Sequence, residues 1–223
     1  MRIEIKMPYN SNQALNVERN LNSIKGLKKQ YPNRIVNSIY YDNLNFRLAK
    51  DNIDGLTKRC KIRARSYGNL QINQCNIEIK KKINKFGFKK IISLKNNTNN
   101  INFKELFSFK NQLYKSLVND PFVEKFITQD YLQPIININY SREYFISEKI
   151  RLTHDKRISY TPWGNLKSVT QKKVIDNFNV LEIKLDIDNQ NDVKNILEKI
   201  NLKPKRFSKY VRGLSFFNAA IYL

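Results

Sequence analysis

The stretch Lys58-Arg59-Cys60-Lys61-Ile62-Arg63-Ala64-Arg65-Ser66-Tyr67 alternates cations with small or apolar residues. In a strand, residues two apart share a face, so Arg59, Lys61, Arg63 and Arg65 project together while Cys60, Ile62 and Ala64 face the other way. Cations stacked in register repel, and such a row is tolerable only beside water, carboxylates or a polyanion. One side of this strand needs a core; the other needs a counter-charge.

The same alternation recurs on either side. Glu-Ile-Lys occupies 4–6, 78–80 and 182–184, each triplet in a strand whose opposite face is aliphatic. Strands are predicted at 2–6, 35–41, 75–84, 134–145, 149–155, 158–163 and 179–186, with a hairpin partner for 75–84 at 86–94 and Gly87 in the bend. The strand at 149–155 sets Arg151, Thr153 and Asp155 against Ile150, Leu152 and His154, and Asn139-Tyr140-Ser141-Arg142 lies in the one before it. By this parity His154 reads as a packed or partly exposed residue. Tyr40 and Tyr41 read as strand packing, and Trp163, beside Pro162 and Gly164, as core or turn. Helices are predicted at 11–29, capped by Ser11 and ended by Pro32-Asn33, at 103–127 with Leu106, Phe109, Leu113 and Leu117, and at 190–200 with Val193, Ile196, Leu197 and Ile200.

These helices carry apolar stripes that need a partner, and the strands carry an apolar face each. An ordinary small barrel buries its apolar face inside. The economical arrangement here is inverted, with an apolar exterior covered by helices and an interior lined by Arg, Lys and a few Glu. That lining suits phosphate, and the carboxylates of the three triplets, Glu4, Glu78 and Glu182, are available for a divalent cation bridging phosphate oxygens. Lys61, Lys82, Arg151 and Lys184 share these charged faces and belong with the phosphate-binding set. A single Glu-x-Lys pair is ordinary on a solvated sheet; its repetition beside the 58–67 row favours a site.

Composition agrees. The chain has 223 residues, of which 41% are hydrophobic and 12% aromatic, enough for a real core in one domain spanning 1–223. Lys and Arg number 41 against 19 acids, a net charge of +22, which points to anionic partners. The chain is also rich in Asn, Lys and Ile, so the placement of the charge carries more than its total. Glutamates interleaved with the cations would repel a nucleic-acid backbone, and no nucleic acid is expected as a partner. No run approaches the roughly 20 apolar residues of a membrane span, and MRIEIK lacks a signal-peptide core, so a cytoplasmic location is expected. Cys60 and Cys75 match no metal-ligand spacing and read as buried thiols.

Arg2-x-Glu4-x-Lys6, SIYYDN at 38–43, KRCKIRARSY at 58–67, NIEIKKK at 76–82, NYSREYF at 139–145, IRLTHDKRI at 150–158, VLEIK at 180–184 and RFSKY at 206–210 follow one another in an order that resembles the VTC domain. This is the polyphosphate polymerase branch of the triphosphate tunnel metalloenzymes, a CYTH-like superfamily. The resemblance implies an α+β fold with a closed antiparallel β tunnel of about eight strands. It implies transfer of the γ-phosphate of ATP to a growing inorganic polyphosphate chain, assisted by Mn²⁺ or Mg²⁺. A tunnel-type triphosphatase and a non-catalytic polyphosphate-binding subunit with a membrane-protein partner are the alternatives, the last peripheral to a membrane complex. By motif position, Lys6, Arg63, Arg65, Lys80, Arg142 and Lys209 would hold the triphosphate or polyphosphate, with Arg63, Arg65, Lys80 and Arg142 at the reacting phosphoryl group. Glu182 would be the metal ligand, and Tyr140 and Ser208 would contact the nucleotide. Lys82 stands where some family members carry His.

Overall fold

The computed structural model describes residues 2–68, 75–84, 86–93, 132–148, 150–163, 172–186 and 190–217. The helix predicted at 103–127 lies outside them. The strands are β1 (Arg2–Asn10), β2 (Lys28–Asp42), β3 (Lys58–Tyr67), β4 (Asn76–Ile83), β5 (Phe86–Ser93), β6 (Gln133–Ile146), β7 (Ile150–Pro162), β8 (Val174–Ile175) and β9 (Phe178–Asp186). The helices are α1 (Ala14–Asn22), α2 (Arg47–Ile53), α3 (Gln190–Ile200) and α4 (Lys209–Ser215).

The strands are mostly antiparallel, in the order β1-β9-β7-β6-β2-β3-β4-β5 with β8 on β7. The closed tunnel expected from the sequence is not formed by the described strands: the order ends at β1 and β5. β5 is paired on its β4 side and is exposed at every position except Ile92, so no described strand covers its second edge.

The chain divides into two compact units. The first comprises 1–35, 139–159 and 174–208. Its core sets Met7, Leu152, Leu181, Ile183 and Leu185 of the strands against Val17 and Leu21 of α1 and Ile200 of α3. Asn10, not Ser11, caps the helical entry: its side chain accepts from the Asn12 N–H at 3.2 Å, and Gln13 returns the bond to the Asn10 N–H. α1 is shorter than expected because β2 begins at Lys28 and runs through Pro32, which lies in its exposed half where a missing N–H is tolerated. The segments predicted separately at 149–155 and 158–163 are one strand, β7, that continues through Arg157 in a left-handed backbone (φ 52), as a bulge residue does.

On the apolar parity of β7, His154 is fully buried, its Nε2 2.6 Å from the Tyr9 hydroxyl and its Nδ1 3.1 Å from Glu143. Lys156 bridges Glu143 (3.0 Å) and Glu18 (2.9 Å). The lone histidine is a packed residue, as its parity predicts.

The second unit comprises 36–138, 160–173 and 209–223. Its core joins Ile39 and Tyr41 of β2, Cys60, Ile62 and Ala64 of β3, Ile77 and Ile79 of β4, and Leu48 of α2, with Trp163 packed against it. Both cysteines are buried thiols. The β4–β5 bend is made at Asn84 (φ 53), whose short polar side chain tolerates that backbone, and Gly87 sits inside β5 opposite Lys82.

Candidate functional site

β3 has the predicted parity. Cys60, Ile62 and Ala64 enter the core, so Arg59, Lys61, Arg63 and Arg65 share the opposite face. Antiparallel pairing sets Arg63 against Glu78, Lys61 against Lys80 and Arg59 against Lys82 on β4, and sets Lys80 against Lys89 on β5. On the other side Ser38 and Tyr40 of β2 face Arg65 and Arg63.

Glu78 is the focus of this face. Its Oε2 accepts from Nε and Nη2 of Arg63 and lies 3.6 Å from Arg65, and its Oε1 accepts from Lys89 at 2.7 Å. Burial pushes the Glu78 carboxyl up, but Arg63 and Arg65 outweigh it and hold the group at about 2. Glu78 therefore serves as counter-ion to the guanidinium pair. Arg65 also donates to Ser38 Oγ at 3.1 Å, whereas Arg59 turns aside to the carbonyls of Gly55 and Leu56.

The sequence reading missed Tyr40. Arg63 Nη1 donates to its hydroxyl at 2.9 Å. Burial raises the phenol, but the charges of Arg63, Arg65 and Lys61 and the Arg63 bond bring it down to about 7. Its ring stacks on Tyr210 of α4 at 4.8 Å and 5°. Tyr210 in turn donates to the buried Asp42 at 2.8 Å, and Asp42 also accepts from the N–H groups of Leu48 and Ala49 in the first turn of α2. Desolvation raises Asp42 to about 6 against those donors. The signal was available in SIYYDN: adjacent residues of a strand face opposite ways, so one of Tyr40 and Tyr41 must share the face of Arg63 and Arg65. Lys209, half-buried, opens α4 one residue before Tyr210.

The first unit builds a different charged face. β1 against β9 pairs Glu4 with Lys184 and Lys6 with Glu182, and β7 adds Arg151 opposite Lys184 and Thr153 opposite Glu182. Lys6 Nζ lies 3.0 Å from Glu4 and 4.0 Å from Glu182, and Lys184 lies 2.7 Å from the other Glu182 oxygen. Lys6 also donates to the Phe207 carbonyl at 3.4 Å, and its own carbonyl accepts from the Lys205 N–H. Ser208, half-buried, ends this segment.

Arg142 makes a fork with the buried Asp155, Nε to Oδ1 at 2.6 Å and Nη2 to Oδ2 at 2.7 Å, and its guanidinium lies 5.2 Å above the Tyr140 ring. Burial would lower Arg142, but the Asp155 charge raises it further. Tyr140 is buried beneath this fork.

Glu4 and Glu182 offer the hard oxygen donors that Mg²⁺ or Mn²⁺ takes, on strands that already share Lys6 between them. Among the described residues no group of three or more His, Cys, Asp or Glu is set to hold a metal alone. A cation that bridges substrate phosphates needs only one or two carboxylates, and the donor set fits that use.

In each unit the strands bury an apolar face against helices and carry charged side chains on the other. The family model for the VTC domain matches residues 1–218, and the chain belongs to that family.

No curated protein matches the sequence. Among solved structures, the PH1012 protein of Pyrococcus horikoshii superposes with a TM-score of 0.54 at 11% identity, over 95% of this chain and 99% of that one. An adenylate cyclase candidate from Bacillus halodurans gives 0.55 at 12%, over 95% and 96%. A second such candidate, from Vibrio parahaemolyticus, gives 0.50 at 12%, over 96% and 97%. At these identities the likeness concerns the fold. Among the described residues no helix is long and apolar enough to cross a membrane.

Proposed function

We propose that the chain is an ATP-dependent polyphosphate polymerase. The observation that carries this reading is the β3–β4–β5 face, where Lys61, Lys80 and Lys89 stand directly opposite one another beside Arg63 and Arg65. Glu78 already bonds Lys89 and Arg63 within this face, and a polyanion suits so dense a set of cations on neighbouring strands. Membership of the VTC family supports a triphosphate as that anion.

In the reaction, a terminal oxygen of the polyphosphate chain attacks the γ-phosphorus of ATP. The bond from that phosphorus to the β–γ bridging oxygen breaks, and ADP leaves with the electron pair. The nucleophile is already an anion near neutral pH, so positioning and charge neutralisation supply most of the catalysis. The family's motif positions give Arg63, Arg65, Lys80 and Arg142 the role of neutralising charge on the transferring group, and Lys6 and Lys209 that of holding phosphate, which Lys61, Lys82, Arg151 and Lys184 share from the same charged strand faces. Tyr140 and Ser208 contact the nucleotide. Glu182, supported by Glu4, would hold Mn²⁺ or Mg²⁺, which would supply positive charge at the phosphate oxygens. The product passes to a membrane-protein partner.

Incubation of the purified protein with ATP and Mn²⁺ tests this: long polyphosphate is the expected product. Orthophosphate alone makes the chain a tunnel-type triphosphatase. Polyphosphate binding without turnover makes it a binding subunit.

A further inference from the structure

We propose that the tip of the β4–β5 hairpin docks on an anionic phospholipid surface. Phe86 is 66% exposed and Phe88 55%, far above what large aromatic side chains of a strand show when they serve a core. They are not scattered. The register places Phe86 in a row with Ile83 and Lys58, and Phe88 in a row with Lys81 and Cys60. The Asn84 N–H donates to the Thr57 carbonyl at 2.7 Å, which brings Leu56, itself 47% exposed, to the same end of the sheet. Leu56, Phe86 and Phe88 thus form one apolar extremity around the turn.

Parity separates this surface from the phosphate face. Phe86, Phe88 and Lys90 alternate with Gly87, Lys89 and Ile91, and Lys89 is the residue that reaches Glu78. The two phenylalanines therefore point to the opposite side of the sheet from Arg63 and Arg65.

The charge pattern selects the partner. From Ile79 to Ser93 the chain carries no acidic residue. Phe86 stands beside the turn, while Lys81 and Lys90 lie on the same face further back, Lys90 roughly 7 Å from Phe88 and roughly 13 Å from Phe86 along the strand. An apolar tip with Lys58 in its first row and Lys81 and Lys90 behind it matches the layering of a membrane interface, where aromatic groups enter about 5–10 Å and long lysine stems carry ammonium groups up to the lipid phosphates. A soluble acidic protein would meet the lysines but leave the phenylalanines in water.

The test uses the full chain and sedimentation with vesicles of phosphatidylcholine alone or mixed with phosphatidylglycerol. Binding to the mixed vesicles, weaker at high salt and absent from pure phosphatidylcholine, is the expected result. Phe86→Ser with Phe88→Ser lowers that binding about tenfold or more while the melting temperature holds, because both side chains are already in water. Excess inorganic tripolyphosphate leaves the wild type on the vesicles.

Several outcomes overturn the proposal: no binding to mixed vesicles, equal binding by the double variant, or complete release by tripolyphosphate, which would assign lipid phosphate to the Arg63 face. So would single-stranded RNA binding lost in the same variant, or a dimer that dissociates on the substitution, since stacked bases or a second copy would then cover the phenylalanines.

Discussion

In the first unit Glu4-Ile5-Lys6 runs antiparallel to Glu182-Ile183-Lys184, and the register sets each glutamate against a lysine of the other strand. The triplet neutralises its own copy. In the second unit Glu78-Ile79-Lys80 runs against Lys61-Ile62-Arg63 instead, so Glu78 meets an arginine while Lys80 meets a lysine. The same three residues end as a balanced face in one unit and as a cationic grip around one carboxylate in the other. What a charged strand motif does is decided by the sequence of its neighbour, because register fixes which charges stand opposite.

The difference predicts unequal sensitivity to substitution. Arg63 binds Glu78 and Tyr40 at once and, in the proposed mechanism, the transferring phosphoryl group. Arg63→Ala is expected to lower kcat for polyphosphate synthesis about 10²–10³-fold, as loss of one preorganised charge donor typically does. Lys184→Ala in the balanced face is expected to lower it less than tenfold, because Arg151 and Lys6 remain beside Glu182. Steady-state kinetics on both variants decide the point; equal losses would dissolve the contrast between the faces.

Acid tests the Glu78 pairing next. The Glu78 carboxyl lies at about 2 in the fold against an ordinary 4.5. A depressed carboxyl contributes stability that is fully present above pH 4.5 and is lost as pH falls through 2. The shift is on the order of 3 kcal/mol. Denaturant melts at pH 6 and pH 3 are expected to show part of this loss in the wild type and a smaller one in Glu78→Gln. An identical pH dependence in the variant would show that other carboxylates carry it, Glu143 first among them, since its bonds to His154 and Lys156 also hold it at about 2.

Tyr40 reports on the cationic face directly. Its phenol titrates at about 7, displaced from 10 by Arg63, Arg65 and Lys61. Phenolate absorbance followed against pH is expected to show one tyrosine ionising near neutrality and to lose that step in Arg63→Met. Burial alone would push the group the other way, so a step that survives in Arg63→Met would place its cause outside this arginine.

How much of this was legible beforehand follows from the range of the interactions. The parity of 58–67, the Glu-x-Lys faces and the aliphatic sides are properties of single strands with period two, and the structure keeps them. The pairing partner of each strand is not such a property. Nothing within NIEIKKK says that Glu78 will face Arg63 rather than a lysine, so the contrast between the units was invisible. The bend at Asn84 was read as Gly87, because glycine is the commoner turn signal and the register that moved Gly87 into β5 was unknown. Tyr210 and Asp42 are 168 positions apart, and their bond depends on α4 reaching β2, a long-range contact that local pattern does not carry.

The smallest expected effect is on stability in the balanced face, and it is the sharpest check on the comparison. Lys184→Met removes the 2.7 Å partner of Glu182 and leaves Lys6 on its other oxygen at 4.0 Å. The Lys184 side chain is 33% exposed, so water already screens the pair, and Met keeps most of the stem that packs along the strand. A loss below about 1 kcal/mol is therefore expected from chemical denaturation at pH 7. Arg63→Met should cost several times more, since it leaves Glu78, with only 6% of its side chain exposed, without the guanidinium that takes one of its oxygens through two donors. If Lys184→Met proved as costly as Arg63→Met, burial and pairing would not distinguish the two glutamates, and the self-complementary register of β1 and β9 would have to be holding Glu182 as tightly as the arginine pair holds Glu78.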